Sequence, residues 1–207
     1  HIIDIILRNF GMRARDHRCE MYFSRVEEQQ VTDFCRQHGL VDGFVVIEPN
    51  SKDTWFGDLR AWPFERWQVV VDHLADRRRQ VVQVGDGTGR ALERVIHLAG
   101  KLPVRLSVCL MKRARLFLGI EGGLMHAANA ADVPAVIVWG GLTEPAFAAY
   151  PERHHVICKH VECAPCGLRG GCPYEKKCLT SIGIEEVVQA VDRALAEAWT
   201  RAEGPPS

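Results

Sequence analysis

The chain has 207 residues, 47% of them hydrophobic, and 26 Lys plus Arg balance 26 Asp plus Glu for a formal net charge of zero. That apolar share suits a folded core and argues against disorder. Nothing in the balanced charge points to nucleic acid or an anionic membrane surface, so any anion site must be a local arrangement. No apolar run is long enough to span a bilayer and no charged-then-apolar leader is visible. Starting at His1 rather than Met, the chain reads as a fragment whose natural start lies upstream.

From the first residue, HIIDIILRNFGM reads as a short helix closed near Gly11, and DHRCEMYFS as an edge strand. Ser24 with Glu27 three residues on is a capping-box pattern, opening a helix that Gly39 ends after His38. An α/β alternation begins at Phe44. FVVIEP (44–49) is a short buried strand, and Pro63 opens a helix with Trp67, Val70, Val71 and Leu74 facing inward. QVVQVG (80–85) reads as a strand, RALERVIHLAG (90–100) as a helix, and Ser107 as the cap of a helix over VCLMKRA. RLFLGI (115–120), AVIVWG (135–140) and HHVICK (154–159) read as strands, LMHAANAA (124–131) as a helix, and 183–199 as a strongly amphipathic helix. Strands separated by helices predict an α/β, Rossmann-like, mostly parallel sheet with helices on both faces. We divide the chain into lead-in helices (1–40), the α/β domain (41–200, with a small Cys-rich lobe at 158–182) and a disordered tail (201–207).

In such sheets ligands sit beyond the carboxyl ends of the strands. Three loops there carry unusual chemistry. VGDGTGR (84–90) lacks the third glycine of a dinucleotide fingerprint, since Arg90 stands there, and Arg105 stands where the ribose-binding acid belongs. It is either a flexible turn or a loop that touches a ligand through amides from Gly85 to Gly87. Glu121-Gly122-Gly123 precedes a helix whose N-terminus favours a phosphate. Glu121 would repel that phosphate, so it is expected to accept from sugar or ribose hydroxyls or to brace amides. His126, one turn in, either donates to the phosphate or packs inside. The long loop 48–67 carries Lys52 and Arg60, and Arg60 lies just before the helix opened by Pro63. A guanidinium beside helix-end amides would clamp a diphosphate; solvated surface charges are the plainer alternative, above all for Lys52. Trp62 and Trp67 read as core anchors.

Of eight cysteines, Cys163, Cys166, Cys172 and Cys178 cluster as C-x2-C-x5-C-x5-C. Four thiolates at this spacing can close a tetrahedral zinc or iron site; two disulfides or free thiols are the alternatives, and the role is structural in each case. Clustered thiols without a secretory leader fit a reducing compartment.

Taken together, these pieces resemble glycosyltransferase family 9, the heptosyltransferase-like enzymes. The residues that carry the likeness are Pro49, Arg60-Ala61-Trp62-Pro63, Glu121-Gly122-Gly123-Leu124-Met125-His126, Gly140-Gly141, Cys163-Ala164-Pro165-Cys166, Cys172-Pro173 and Cys178-Leu179-Thr180-Ser181-Ile182, in order over roughly 44–190. The chain departs from the family pattern with Arg60 for Lys, Glu121 for Asp and Gly122 for Ser or Thr. The resemblance implies the carboxy-terminal, donor-binding half of a two-domain GT-B fold. It implies an inverting enzyme without a catalytic metal, an ADP-heptose-like donor, and a glycan, lipopolysaccharide or protein acceptor. It also implies a bacterial cytoplasmic setting, at the inner face of the membrane through peripheral association. The general base is expected in a missing amino-terminal domain, so no catalytic residue is assigned here. A second reading is a non-catalytic binding or assembly module with a structural four-Cys metal site. Metal content and nucleotide binding tell the two apart.

Overall fold

The computed structural model describes residues 1–52 and 57–203. Residues 53–56 of the long loop and 204–207 of the expected disordered tail lie outside that description. Six strands form one parallel sheet: β1 (Val45–Glu48), β2 (Val81–Gln83), β3 (Ile96–His97), β4 (Leu116–Ile120), β5 (Ala135–Trp139) and β6 (His154–Cys158), in the order β3-β2-β1-β4-β5-β6. The order reverses between β1 and β4, where Ile47 lies beside both Gln83 and Leu118. This is the Rossmann-like sheet expected, and its crevice opens at that switch point.

Alternation along each strand builds two cores. Val46, Phe117 and Ile137 face α2 (Arg25–Gln37), α4 (Val104–Met111) and α5 (Gly123–Ala130). Val45, Ile47, Leu116, Leu118, Val136 and Val138 face α3 (Phe64–Asp76) and α7 (Ile184–Glu203). A parallel sheet covered on both sides needs this near-continuous apolar run in each strand. The inward set of α3 (Trp67, Val70, Val71 and Leu74) is fully buried as read from its periodicity. Ser24 and Glu27 form the capping box of α2, whose Val31 and Cys35 join the first core. The short first helix, α1 (Ile2–Arg8), buries no residue. The remaining helix, α6 (Lys177–Thr180), belongs to the Cys-rich lobe. Helix α7 reaches Glu203, so residues 201–203 are helical rather than part of a disordered tail.

Three local expectations are corrected. Residues 90–100 are not a helix. The buried Gln83 side chain accepts from Leu92 N and donates to Arg90 O, Gln68 accepts from Glu93 N, and Ile96–His97 pair with β2. The apolar spacing fits a helix, but the open edge of β2 and two glutamine side chains take its backbone groups first. Residues 16–24 form no strand; Cys19 N–H instead donates to Asn129 Oδ1 of α5 at 2.7 Å. Helix α4 starts a turn earlier than Ser107, with Pro103 at its N-cap, and Ser107 is buried within it.

Candidate functional site

A cavity of about 930 Å³ opens beyond the carboxyl ends of β1, β2 and β4. Lys52, Arg60, Gly85, Glu121, Gly122, Gly123 and His126, all candidates from the sequence, line it. Gly87 does not. It has φ +85°, and a Cβ there would stand 2.8 Å from the Gly100 Cα. It packs closely against the Gly100 backbone instead.

Arg60 reaches the cavity because its neighbours are pinned. It ends a 3-10 turn, Asp58–Arg60, in which Leu59 is buried. Trp62, two residues on, is buried edge-on against Trp67 and donates from Nε1 to Ile182 O. The two tryptophans are core anchors, as expected. The guanidinium Nε stands 2.9 Å from Glu121 Oε1, with Arg60 27% and Glu121 4% exposed. Thr143 Oγ1 donates to the other Glu121 oxygen at 3.4 Å. The structure thus brings the long loop and the Glu-Gly-Gly seam together, but as partners: Glu121 orients Arg60. Burial pushes the Glu121 carboxyl up to about 7, outweighing the opposing pull of Arg60 and Thr143.

Helix α5 begins behind this pair with Gly122 at its N-cap and no side-chain cap, so its first amides are open to a ligand. The chain bends at Glu121–Gly122 as it leaves β4. Gly122 is extended (φ 174°), and nothing lies within 4 Å of a Cβ built at Gly122 or Gly123. The glycines leave room above the helix end instead of relieving backbone strain. His126 sits one turn in, half-buried, with Nδ1 2.6 Å from the Tyr150 hydroxyl. Burial, and then the Arg60 charge, hold its imidazole below the usual range.

Glu48, Asp86 and Lys101 also line the cavity and escaped the sequence reading. Glu48 closes β1, and burial with the Asp86 charge pushes its carboxyl up to about 7 against the pull of Lys52. An acid ending the run Val-Val-Ile-Glu was the available signal, since a buried strand seldom ends in a charge without a use for it. Asp86 is held ionised by the Thr88 amide and hydroxyl.

The Cys-rich lobe packs behind the Arg60 turn. Lys176 Nζ bonds Asp58 Oδ1 at 2.7 Å, and Lys177 pairs with Glu162. Gly140 lets Leu59 O come within 2.9 Å of where a Cβ would be, and Gly141 does the same for Ala164. Cys163, Cys166, Cys172 and Cys178 are unbridged. Burial raises the Cys178 thiol against the pull of the Gly141 backbone, and Cys163, Cys166 and Cys172 add to the rise. No group of three or more His, Cys, Asp or Glu among the described residues is arranged to hold a metal ion. In the arrangement described, the thiols do not form a ligand cage.

The family model for glycosyltransferase family 9 (heptosyltransferase) matches residues 20–177. The chain belongs to this family. Lipopolysaccharide heptosyltransferase 1 of Pseudomonas aeruginosa is 30% identical over 132 residues, covering 59% of this chain and 36% of that protein. E. coli ADP-heptose LPS heptosyltransferase II superposes with a TM-score of 0.66 at 20% identity, over 87% of this chain and 54% of its own. TibC, an iron-containing dodecameric glycosyltransferase of enterotoxigenic E. coli, gives 0.64 at 22%, over 77% and 46%. TibC has also been solved with ADP-D-beta-D-heptose. This family-9 chain spans roughly half the length of those solved enzymes or less, and its sheet has their fold.

Proposed function

We propose that this chain is the donor-binding half of an inverting glycosyltransferase that takes an ADP-heptose-like nucleotide sugar and transfers the sugar to a glycan, lipid or protein acceptor. The observation that carries this reading is Arg60, held by buried Glu121 at the mouth of the uncapped α5 N-terminus. A guanidinium and free helix-end amides together suit a diphosphate. The leaving nucleoside diphosphate gains charge as the glycosidic bond breaks, and donors already in place there stabilise that charge without reorganising. Glu48, Asp86 and Glu121 supply acceptors for ribose or sugar hydroxyls around the same cavity. The base that takes the acceptor proton comes from a domain facing this one, in the bacterial cytoplasm at the inner face of the membrane.

Family membership and the ADP-D-beta-D-heptose bound in TibC support this reading over a pure assembly module. The Cys-rich lobe contributes by backing the Arg60 turn. A structural zinc or iron ion there would have to draw the thiols together from their described positions, and elemental analysis of the intact protein decides it. The donor is tested by a thermal-shift screen of nucleotide sugars on the intact protein. ADP-linked sugars should raise the melting temperature. A protein shifted by no nucleotide, yet holding metal at four thiolates, would favour the assembly module.

A further inference from the structure

Tyr150 lies in the loop between β5 and β6 and is 4% exposed. Its ring stands edge-on to both His126, at 5.6 Å, and buried His154, at 5.4 Å. Its hydroxyl sits 2.6 Å from His126 Nδ1 and 3.2 Å from Cys19 Sγ. Cys19 is in turn tied to α5 through Asn129. His126 lines the cavity, and its Nε2 has no partner among the described residues and is not one of the buried unsatisfied atoms.

One proton on the tyrosine must go one way or the other. A thiol sulfur is a poor acceptor and a neutral imidazole nitrogen a good one, so the hydroxyl donates to Nδ1 and the thiol donates to the phenolic oxygen. Burial, then the Cys19 contact, keep the tyrosine protonated. With Nδ1 accepting, the neutral ring carries its proton on Nε2.

We propose that Tyr150 is a positioning residue: by donating to Nδ1 it fixes His126 as an Nε2–H donor facing a diphosphate oxygen in the cavity. This rests on the donor-site reading above. With the opposite tautomer, an acceptor lone pair would face an anion at the same place and repel it.

The test has two parts, both on the intact protein. Nitrogen-15 NMR above the imidazole's titration should show His126 protonated at Nε2, with Nδ1 bare and hydrogen-bonded; a proton on Nδ1 overturns the proposal. Calorimetry with ADP should show Tyr150→Phe binding about threefold more weakly or worse. In a His126→Ala background the same change should have no further effect. A loss of equal size in both backgrounds, or no loss in either, overturns the positioning role. If Tyr150→Phe fails to fold, the wild-type tautomer still decides. An intact protein that binds no nucleoside diphosphate sinks the donor-site reading and the proposal with it, a failure separable from a wrong tautomer.

Discussion

Two glutamates give the site its pH behaviour. Glu48 and Glu121 both sit near about 7 because burial disfavours their charged forms. An ordinary glutamate titrates about 4.3 in the unfolded chain. Between that value and about 7 the folded protein holds protons that the unfolded chain has released, so stability falls as pH rises through this window. The contribution is intact below the ordinary value and fully lost above about 7. Glu48→Gln removes one of these groups. It should raise the melting temperature at alkaline pH, by roughly 2–4 °C for each kcal/mol relieved, and change it little under acidic conditions. Equal effects at the two pH extremes, measured by calorimetric scans, would show that Glu48 titrates normally. The opposed neighbours of Glu121, burial and Arg60, also explain why an acid is tolerated where a phosphate is expected: near neutrality it is partly protonated, and its charge is shared with a guanidinium.

At the scale of elements, loops after β1, β2 and β4 converge because the strand order switches between β1 and β4. The loop after β2 is shaped by contact with the loop after β3. Gly87 and Gly100, both at positive φ, stand so close that a Cβ on Gly87 would collide with the Gly100 Cα at 2.8 Å, and one on Gly100 would crowd the Gly87 Cα at 3.1 Å. Gly87→Ala should therefore cost roughly 1–3 kcal/mol in denaturant unfolding. Gly123→Ala, in open space at the first turn of α5, should be neutral or mildly stabilising. Matching losses from both would contradict the packing account. The helix read over 90–100 fails for a related reason: that segment's apolar spacing reports burial of Leu92 and Leu98, not the hydrogen-bond partners that Gln83 and Gln68 supply from a distance.

Across the whole molecule, what could be read in advance was what lies close in sequence. The α/β alternation, the capping box at Ser24, the inward face of α3 and the seven lining candidates all rest on short patterns or on one helix end. Glu48 was missed despite a local signal, but the larger misses depend on long-range meeting. Tyr150 touches His126 from 24 residues away and Cys19 from 131, and no local pattern marks such a contact. At Gly122 and Gly123 a sequence shows the absence of a side chain but not the backbone angle or the space above it. The pairing of Arg60 with Glu121 joins a loop before α3 to a seam before α5, and the proposed diphosphate seat depends on it. Arg60→Ala leaves Glu121 buried without its cation, so Arg60→Ala with Glu121→Gln serves as the folding control. The most direct measurement is calorimetric titration of ADP into intact wild-type protein and into both variants. Tenfold weaker binding or worse, about 1.4 kcal/mol, is the result predicted for each variant. Wild-type affinity in either folded variant would contradict a diphosphate seat at Arg60.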